Sequence, residues 1–198
     1  MVTRAGQHSI DSQTMRIISG KWRGRRLSAP KGSKTRPTAD RTREALFSIL
    51  GGKIEDATVL DLFAGTGSLG LECLSRGANH ATFVEKDPRV AGVLSENLQL
   101  APAEHHRLLT MPAQKALRLL DPGKPTFDLV FLDPPYHLHL LQPTFTALLE
   151  SGIVKSSGTV VCEHFSKDSP PSPSDPWCLR RTRRFGEASI SFFDVPDT

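Results

Sequence analysis

Apolar and polar positions change period repeatedly along the chain, and each change marks an element. Four short apolar runs, 58–63 (TVLDLF), 81–85 (ATFVE), 107–111 (RLLTM) and 127–132 (FDLVFL), alternate with longer mixed stretches at 68–76, 88–99 and 112–120. Short runs bounded by turn residues predict buried strands, and the amphipathic intervals predict helices. A helix is expected again at 143–151, followed by a fifth strand about Val160-Val161-Cys162. The Ser/Pro-rich stretch Ser166 to Pro176 predicts a surface loop. Residues 177–185 and 188–194 predict a β-hairpin about Gly186-Glu187. The whole reads as an α/β fold: a mostly parallel, seven-stranded sheet covered on both faces and closed by an antiparallel edge hairpin.

Ahead of this pattern, residues 15–19 and 25–29 predict two short strands about the glycines of Gly20-Lys21-Trp22-Arg23-Gly24. After Pro37, a helix is expected over 38–50. Thr38 or Asp40 suits its cap, Ala45, Leu46, Ile49 and Leu50 form its apolar stripe, and Gly51-Gly52 ends it. The expected organisation is therefore a disordered lead (1–14), a small basic β-ribbon (15–37) and one Rossmann-like domain (38–198).

Composition agrees with one well-packed domain carrying an appendage. The 198 residues are 38% hydrophobic, about 46% with the 15 glycines added, as in globular chains generally. Cys73, Cys162 and Cys178 are odd in number and widely spaced, which suggests a reducing compartment and no structural zinc. No metal site is expected, since His137 and His139 lack an evident third ligand. The polar N-terminus carries no signal-like apolar run and no segment approaches the length of a membrane span, so a soluble cytoplasmic protein is expected; a monomer that requires no protein partner is expected as well. The net charge of +4 hides an asymmetry. Residues 1–44 hold 11 Lys/Arg against 3 Asp/Glu, and residues 45–198 hold 14 against 18. A basic end on a mildly acidic body suits a polyanion, and Trp22 among Lys21, Arg23, Arg25 and Arg26 suits a nucleic acid, whose bases stack on exposed rings. Solvation of an exposed hairpin and ordinary packing of Trp22 explain the same residues.

Candidate chemistry gathers where the predicted strands end. Gly65, Gly67 and Gly70 match G-x-G-x-x-G between a strand and a helix, where a nucleotide-like ligand can approach backbone N–H groups. Glu85 closes the next strand and suits the hydroxyls of a ribose. A nicotinamide-dependent oxidoreductase would show the same features. Asp61 at the mouth of the loop disfavours a pyrophosphate and favours a cationic or zwitterionic ligand such as S-adenosylmethionine. Asp133-Pro134-Pro135-Tyr136 directly follows an apolar strand, the edge where doubly wound sheets bind ligands. An exocyclic base amine is a poor nucleophile because its lone pair is delocalised. Acceptors such as the Asp133 carboxylate and the Pro134 carbonyl favour the pyramidal geometry that can attack, while Tyr136 can stack on a flipped base. A Pro-Pro turn with an N-capping aspartate is the bland alternative.

With these residues in hand, the chain resembles the bacterial ribosomal small-subunit RNA guanine-N2 methyltransferase D family. Arg16-Ile17-Ile18-Ser19-Gly20, Trp22-Arg23-Gly24, the segment Arg36 to Glu44, the loop Asp61 to Leu71 and the tetrapeptide at 133–136 carry the resemblance over most of the chain. It implies a Rossmann-like class I fold and S-adenosylmethionine-dependent methylation of a guanine N2 amine in 16S rRNA of the small ribosomal subunit. It also implies cofactor contacts at Arg36, Thr38, Asp61, Phe63, Gly65, Gly67 and Glu85, catalysis by Asp133, Pro134, Pro135 and Tyr136, and RNA docking by the ribbon and Arg41. One position departs from the family pattern: a polar residue that would meet the adenine amine is replaced by Pro112, leaving backbone groups, Thr110 or Gln114 for that contact. DNA adenine-N6 methylation and a non-catalytic ribosome-assembly module remain the alternative readings.

Overall fold

The computed structural model describes residues 15–30 and 37–195, with the side chains of 37–39 and 137 outside that description. Seven strands form one sheet in the order β3-β2-β1-β4-β5-β7-β6, with β1 at Thr58–Asp61, β2 at His80–Glu85, β3 at His106–Thr110, β4 at Phe127–Leu132, β5 at Val154–Phe165, β6 at Cys178–Phe185 and β7 at Ala188–Asp194. The pairs from β3 through β5 are parallel, and β7 runs antiparallel to both β5 and β6. Among the described residues five helices connect or flank them: α1 (Pro37–Leu50), α2 (Ser68–Ser75), α3 (Pro88–Asn97), α4 (Ala113–Leu119) and α5 (Leu141–Ser151). None of the described helices is long and apolar enough to cross a membrane.

The central strands are apolar on both faces because both faces are covered. Val59, Phe83, Leu129, Phe131 and Val161 pack toward α1, α2 and α3. Leu60, Val84, Val130, Leu132 and Cys162 pack toward α4 and α5. Each fully buried Leu, Val or Phe contributes roughly 1.5–3 kcal/mol of transfer free energy, so these two layers hold the sheet's carboxyl edge in place. Asp87 caps α3 by accepting from the Arg89 N–H, with Pro88 at the first helical position.

Two elements differ from expectation. The fifth strand has twelve residues, because it continues through polar, exposed Ser156 and Ser157 and crosses an irregularity opposite Phe127 and Leu129. Hydrophobic pattern marks only its buried half. Among its described residues the front ribbon holds a single β-bridge, Arg16 with Arg26, closed by Ile17 N–H to Arg25 C=O (2.9 Å) and Leu27 N–H to Met15 C=O (2.8 Å). The turn closes on itself through Gly24 N–H to Ile17 C=O (2.9 Å), Arg23 N–H to Gly20 C=O and Arg25 N–H to Trp22 C=O, while other backbone groups turn to the domain. Ile18 and Ser19 N–H donate to the fully buried Glu72 carboxylate at 2.7 and 2.9 Å, and Lys21 N–H donates to the Ser75 carbonyl at 2.7 Å. Asn97 fastens the outgoing chain, accepting from Ser28 N–H and donating to the carbonyls of Ser28 and Thr66.

Gly20 sits at the tightest point of this docking. Its φ is +81°, and an added Cβ would lie 1.8 Å from the Ser75 carbonyl oxygen; Gly24 has the same φ but open space around it. Gly24→Ala should therefore cost only the left-handed strain of about 1–2 kcal/mol. Gly20→Ala should cost clearly more, lower Tm further and speed tryptic cleavage after Lys21 and Arg23. Equal effects of the two substitutions would show that the ribbon is not seated on α2.

Candidate functional site

Parallel order places the ends of β1, β2, β4 and β5 along one edge, and two cavities open there. One, of about 360 Å³, lies over the glycine loop and is bordered by Phe63, Gly65, Glu85, Met111, Ala113 and Asp133. The other, of about 380 Å³, lies between α1, β5 and the β6–β7 turn and is bordered by Arg43, Leu46, Asp133, Tyr136, Glu163 and Ile190. Both are of ligand-binding size. They share Met15, Ser68 and Asp133 as a common wall, so a group held in one chamber meets a group held in the other beside Asp133.

The glycines divide their work. Gly65, with φ +54° and nothing near a would-be Cβ, leaves the loop open beside the cavity. A Cβ on Gly67 would lie 2.4 Å from Leu94, and one on Gly70 2.3 Å from the Phe83 ring, so these two allow α2 to pack closely on α3 and β2. Glu85 is held by the Gly65 N–H (3.1 Å to Oε2) and the Asp87 N–H (2.8 Å to Oε1), and its spare lone pairs remain for a ligand's hydroxyls. At the far end Met111 and Ala113 line the wall, while the Gln114 amide donates to Thr144 on α5 and Thr110 lies outside the lining.

Asp61 lies beneath the loop, 1% exposed, and is absent from either lining. Neither of its carboxylate oxygens has a hydrogen bond of normal geometry. Burial raises its pKa from 3.8 to about 7, offset in part by the nearby Gly70 and Phe63 N–H groups and reinforced by Glu85. An unsatisfied buried carboxyl at the base of a cradle suits a cationic neighbour better than a phosphate.

Asp133 stands one residue beyond β4. The short 3-10 turn at Tyr136–Leu138 begins after Pro135, so Asp133 is not its N-cap and the bland capping role falls away. Its carboxyl makes no hydrogen bond to the described residues. Desolvation, then Glu163, then Asp61 hold its pKa well above the usual carboxylate range. Pro134 is buried, Pro135 exposed and Tyr136 half-buried, its ring 6.1 Å from that of Phe165. The Tyr136 hydroxyl donates to Glu163 Oε1 at 2.5 Å. Glu163, on β5, is itself raised by burial, with the Tyr136 hydrogen bond offsetting part of the effect.

Phe63, Gly65, Glu85, Asp133, Pro135 and Tyr136 thus border the paired cavities, with Asp61, Gly67 and Pro134 packed behind or beside them. Lys21, Arg23, Arg25, Arg26 and Arg41 are exposed outside the cavities, whereas Trp22 is half-buried against the core. Arg36, the side chain of Thr38 and the lead 1–14 lie outside the described residues. Sequence reading missed Glu163, Arg43 and Met15. Glu163 carried a usable signal, being the first polar residue after an apolar strand run, as Asp133 is; Arg43 and Met15 reach the site only through tertiary packing.

The titration of Asp61 is measurable. A carboxyl whose folded pKa exceeds its unfolded value contributes its full stability below about pH 4 and loses it as pH rises through about 7. Against Asp61→Asn, a neutral near-isostere, wild-type Tm should lose ground by several degrees between pH 5 and pH 8. A pH-independent difference would show that Asp61 is ionised throughout.

Comparison with known proteins bears on the whole assembly. Over 186 residues the chain is 38% identical to Ribosomal RNA small subunit methyltransferase D of Escherichia coli K12, covering 94% of this chain and 92% of that protein. It is 37% identical to the protein of the same name from Haemophilus influenzae, over 90% of this chain and 93% of that one. Among solved structures, a hypothetical protein of Thermus thermophilus superposes with a TM-score of 0.78 at 32% identity, covering 91% of this chain and 99% of that chain. A family model described as Conserved hypothetical protein 95 matches residues 15–194, from the first described residue of the ribbon to the end of β7. The chain belongs to this family, that of the ribosomal RNA small-subunit methyltransferase D proteins.

Proposed function

We propose that the protein methylates the exocyclic N2 amine of one guanine in 16S rRNA of the small ribosomal subunit, using S-adenosylmethionine, in the cytoplasm and as a monomer. The observation that carries this reading is the common wall at Asp133, which joins a glycine-loop cavity to a second chamber of nucleobase size. The relatives' printed names supply the macromolecule, since both are ribosomal RNA small-subunit methyltransferases.

The residues present fit the cofactor. Gly65 leaves the loop open, Glu85 offers fixed acceptors for ribose hydroxyls, and the unsatisfied Asp61 carboxyl favours positive charge above it. S-adenosylmethionine supplies a methyl carbon on a positively charged sulfur, open to displacement. The protein's part is to present a nucleophile. The Asp133 carboxylate and Pro134 carbonyl accept the two amine hydrogens, drawing the nitrogen toward pyramidal geometry and freeing its lone pair. Asp133 then accepts the proton that the amine must lose, and its raised pKa makes the ionised carboxylate a stronger base. The exposed cations of the ribbon, with Arg41, bind rRNA phosphates and hold the subunit while the base is flipped.

Methyl-labelled S-adenosylmethionine, incubated with small subunits lacking base methylation, should place label in N2-methylguanosine. Naked 16S rRNA and duplex DNA should accept less. Asp133→Ala should lower turnover by about 100-fold or more while cofactor affinity changes only a few-fold. Label in N6-methyladenosine, or equal loss of turnover and affinity, would contradict the assignment.

A further inference from the structure

The second chamber has more polar structure than holding an amine requires. β4 and β5 pair Phe131 with Val161 and Leu132 with Cys162. The next step of that register sets Asp133 beside Glu163, on the face that carries Phe131 and Val161, and all four border one recess of the chamber. Glu163 is anchored through Oε1 by the Tyr136 hydroxyl, while Oε2 takes no hydrogen bond from the described residues. Ile190, paired with Glu163 across β5 and β7 and 1% exposed, keeps water from one side.

Arg43 borders the same chamber from α1 and is 6% exposed. Its Nη2 donates to Asp40 at 2.7 Å and to the Arg16 carbonyl at 2.9 Å, which fixes the guanidinium. Its Nε and Nη1 are buried without an acceptor among the described residues. Leaving such donors unmet is costly, and a ligand oxygen would relieve the cost.

The chamber therefore offers a donor, Arg43, and two acceptors, Glu163 and Asp133. The Watson–Crick edge of guanine presents the complement: O6 accepts, N1–H donates, and the 2-amine donates. Adenine, with its amine at Asp133, would turn the N1 lone pair toward the Glu163 carboxylate. We propose that the chamber reads guanine directly: Glu163 accepts N1–H, Arg43 donates to O6, and Asp133 holds the amine. This rests on the guanine-N2 reading and adds the residues that select the base. Tyr136 then serves a second purpose, orienting the Glu163 carboxylate.

The test replaces the labelled guanine in the reconstituted small subunit with 2-aminopurine, which keeps the 2-amine but has an acceptor at N1 and hydrogen in place of O6. Wild type should prefer guanine by about 100-fold or more in kcat/KM, since the Glu163 acceptor is left facing a lone pair and Arg43 loses its O6 acceptor; only the first of these is relieved by a change at Glu163. Glu163→Gln keeps an oxygen for the Tyr136 hydroxyl and brings an amide that donates to N1. It should lower activity on guanine and narrow the preference at least about tenfold, with S-adenosylmethionine affinity changed less than about twofold. Equal loss on both bases, with the preference unchanged, would overturn the proposal and leave Glu163 as a support for Tyr136 alone. Failure of wild type to label guanine N2 in unsubstituted subunits would remove the reading beneath it.

Discussion

Holding a carboxylate away from water is expensive unless something positive or hydrogen-bonding meets it. This fold does so at three adjacent places, Asp61 at the end of β1, Asp133 just past β4 and Glu163 in β5, and those strands are neighbours in the sheet. Among the described residues none of the three is paired with Lys or Arg. All three titrate higher than usual, with desolvation as the leading cause. The strain is tolerable because the apolar layers on both faces hold the strand ends in place. On the proposed function it is useful, because the missing partners are those a cationic cofactor and a base rich in N–H groups would bring with them. The site is thus more complementary to its ligands than to itself, as catalysis by preorganised charge requires.

The ribbon follows the opposite rule. The buried polar groups that seat it are satisfied by the protein: Glu72 of α2 takes two ribbon N–H groups and the Arg76 guanidinium, and Asn97 of α3 ties both the ribbon and the glycine loop. A segment that looks in sequence like an appendage is thereby made part of the site. Met15 enters both cavities, its sulfur accepting from the Thr66 hydroxyl, and Arg43 is steadied by the Arg16 carbonyl. The exposed cations beside these anchors are consequently held at a set distance from the chambers.

Most of the parallel sheet was legible because its strands are buried on both faces and its helices are amphipathic, so period alone separates them. The long β5 was half hidden, since the polar Lys155, Ser156 and Ser157 interrupt it between Val154 and its apolar run. Gly67 and Gly70 matched a ligand motif, yet their packing against Leu94 and Phe83 concerns neighbouring elements that only the fold identifies. Asp133 was legible from its place after an apolar run. Glu163 shares that local signal, but its meaning comes from the register with β4, a long-range pairing that no local spacing encodes. Trp22 was open to two readings, and its half-buried ring favours packing.

Desolvated acids at the sheet edge that await positive charge must reveal themselves in proton linkage. Calorimetric titration of S-adenosylmethionine at pH 7, repeated in buffers of different ionisation enthalpy, counts protons exchanged on binding. A net release is predicted, larger than with S-adenosylhomocysteine, which lacks the sulfonium charge, because the cation favours the ionised acids. Equal proton exchange with the two ligands, or none with either, would contradict the account.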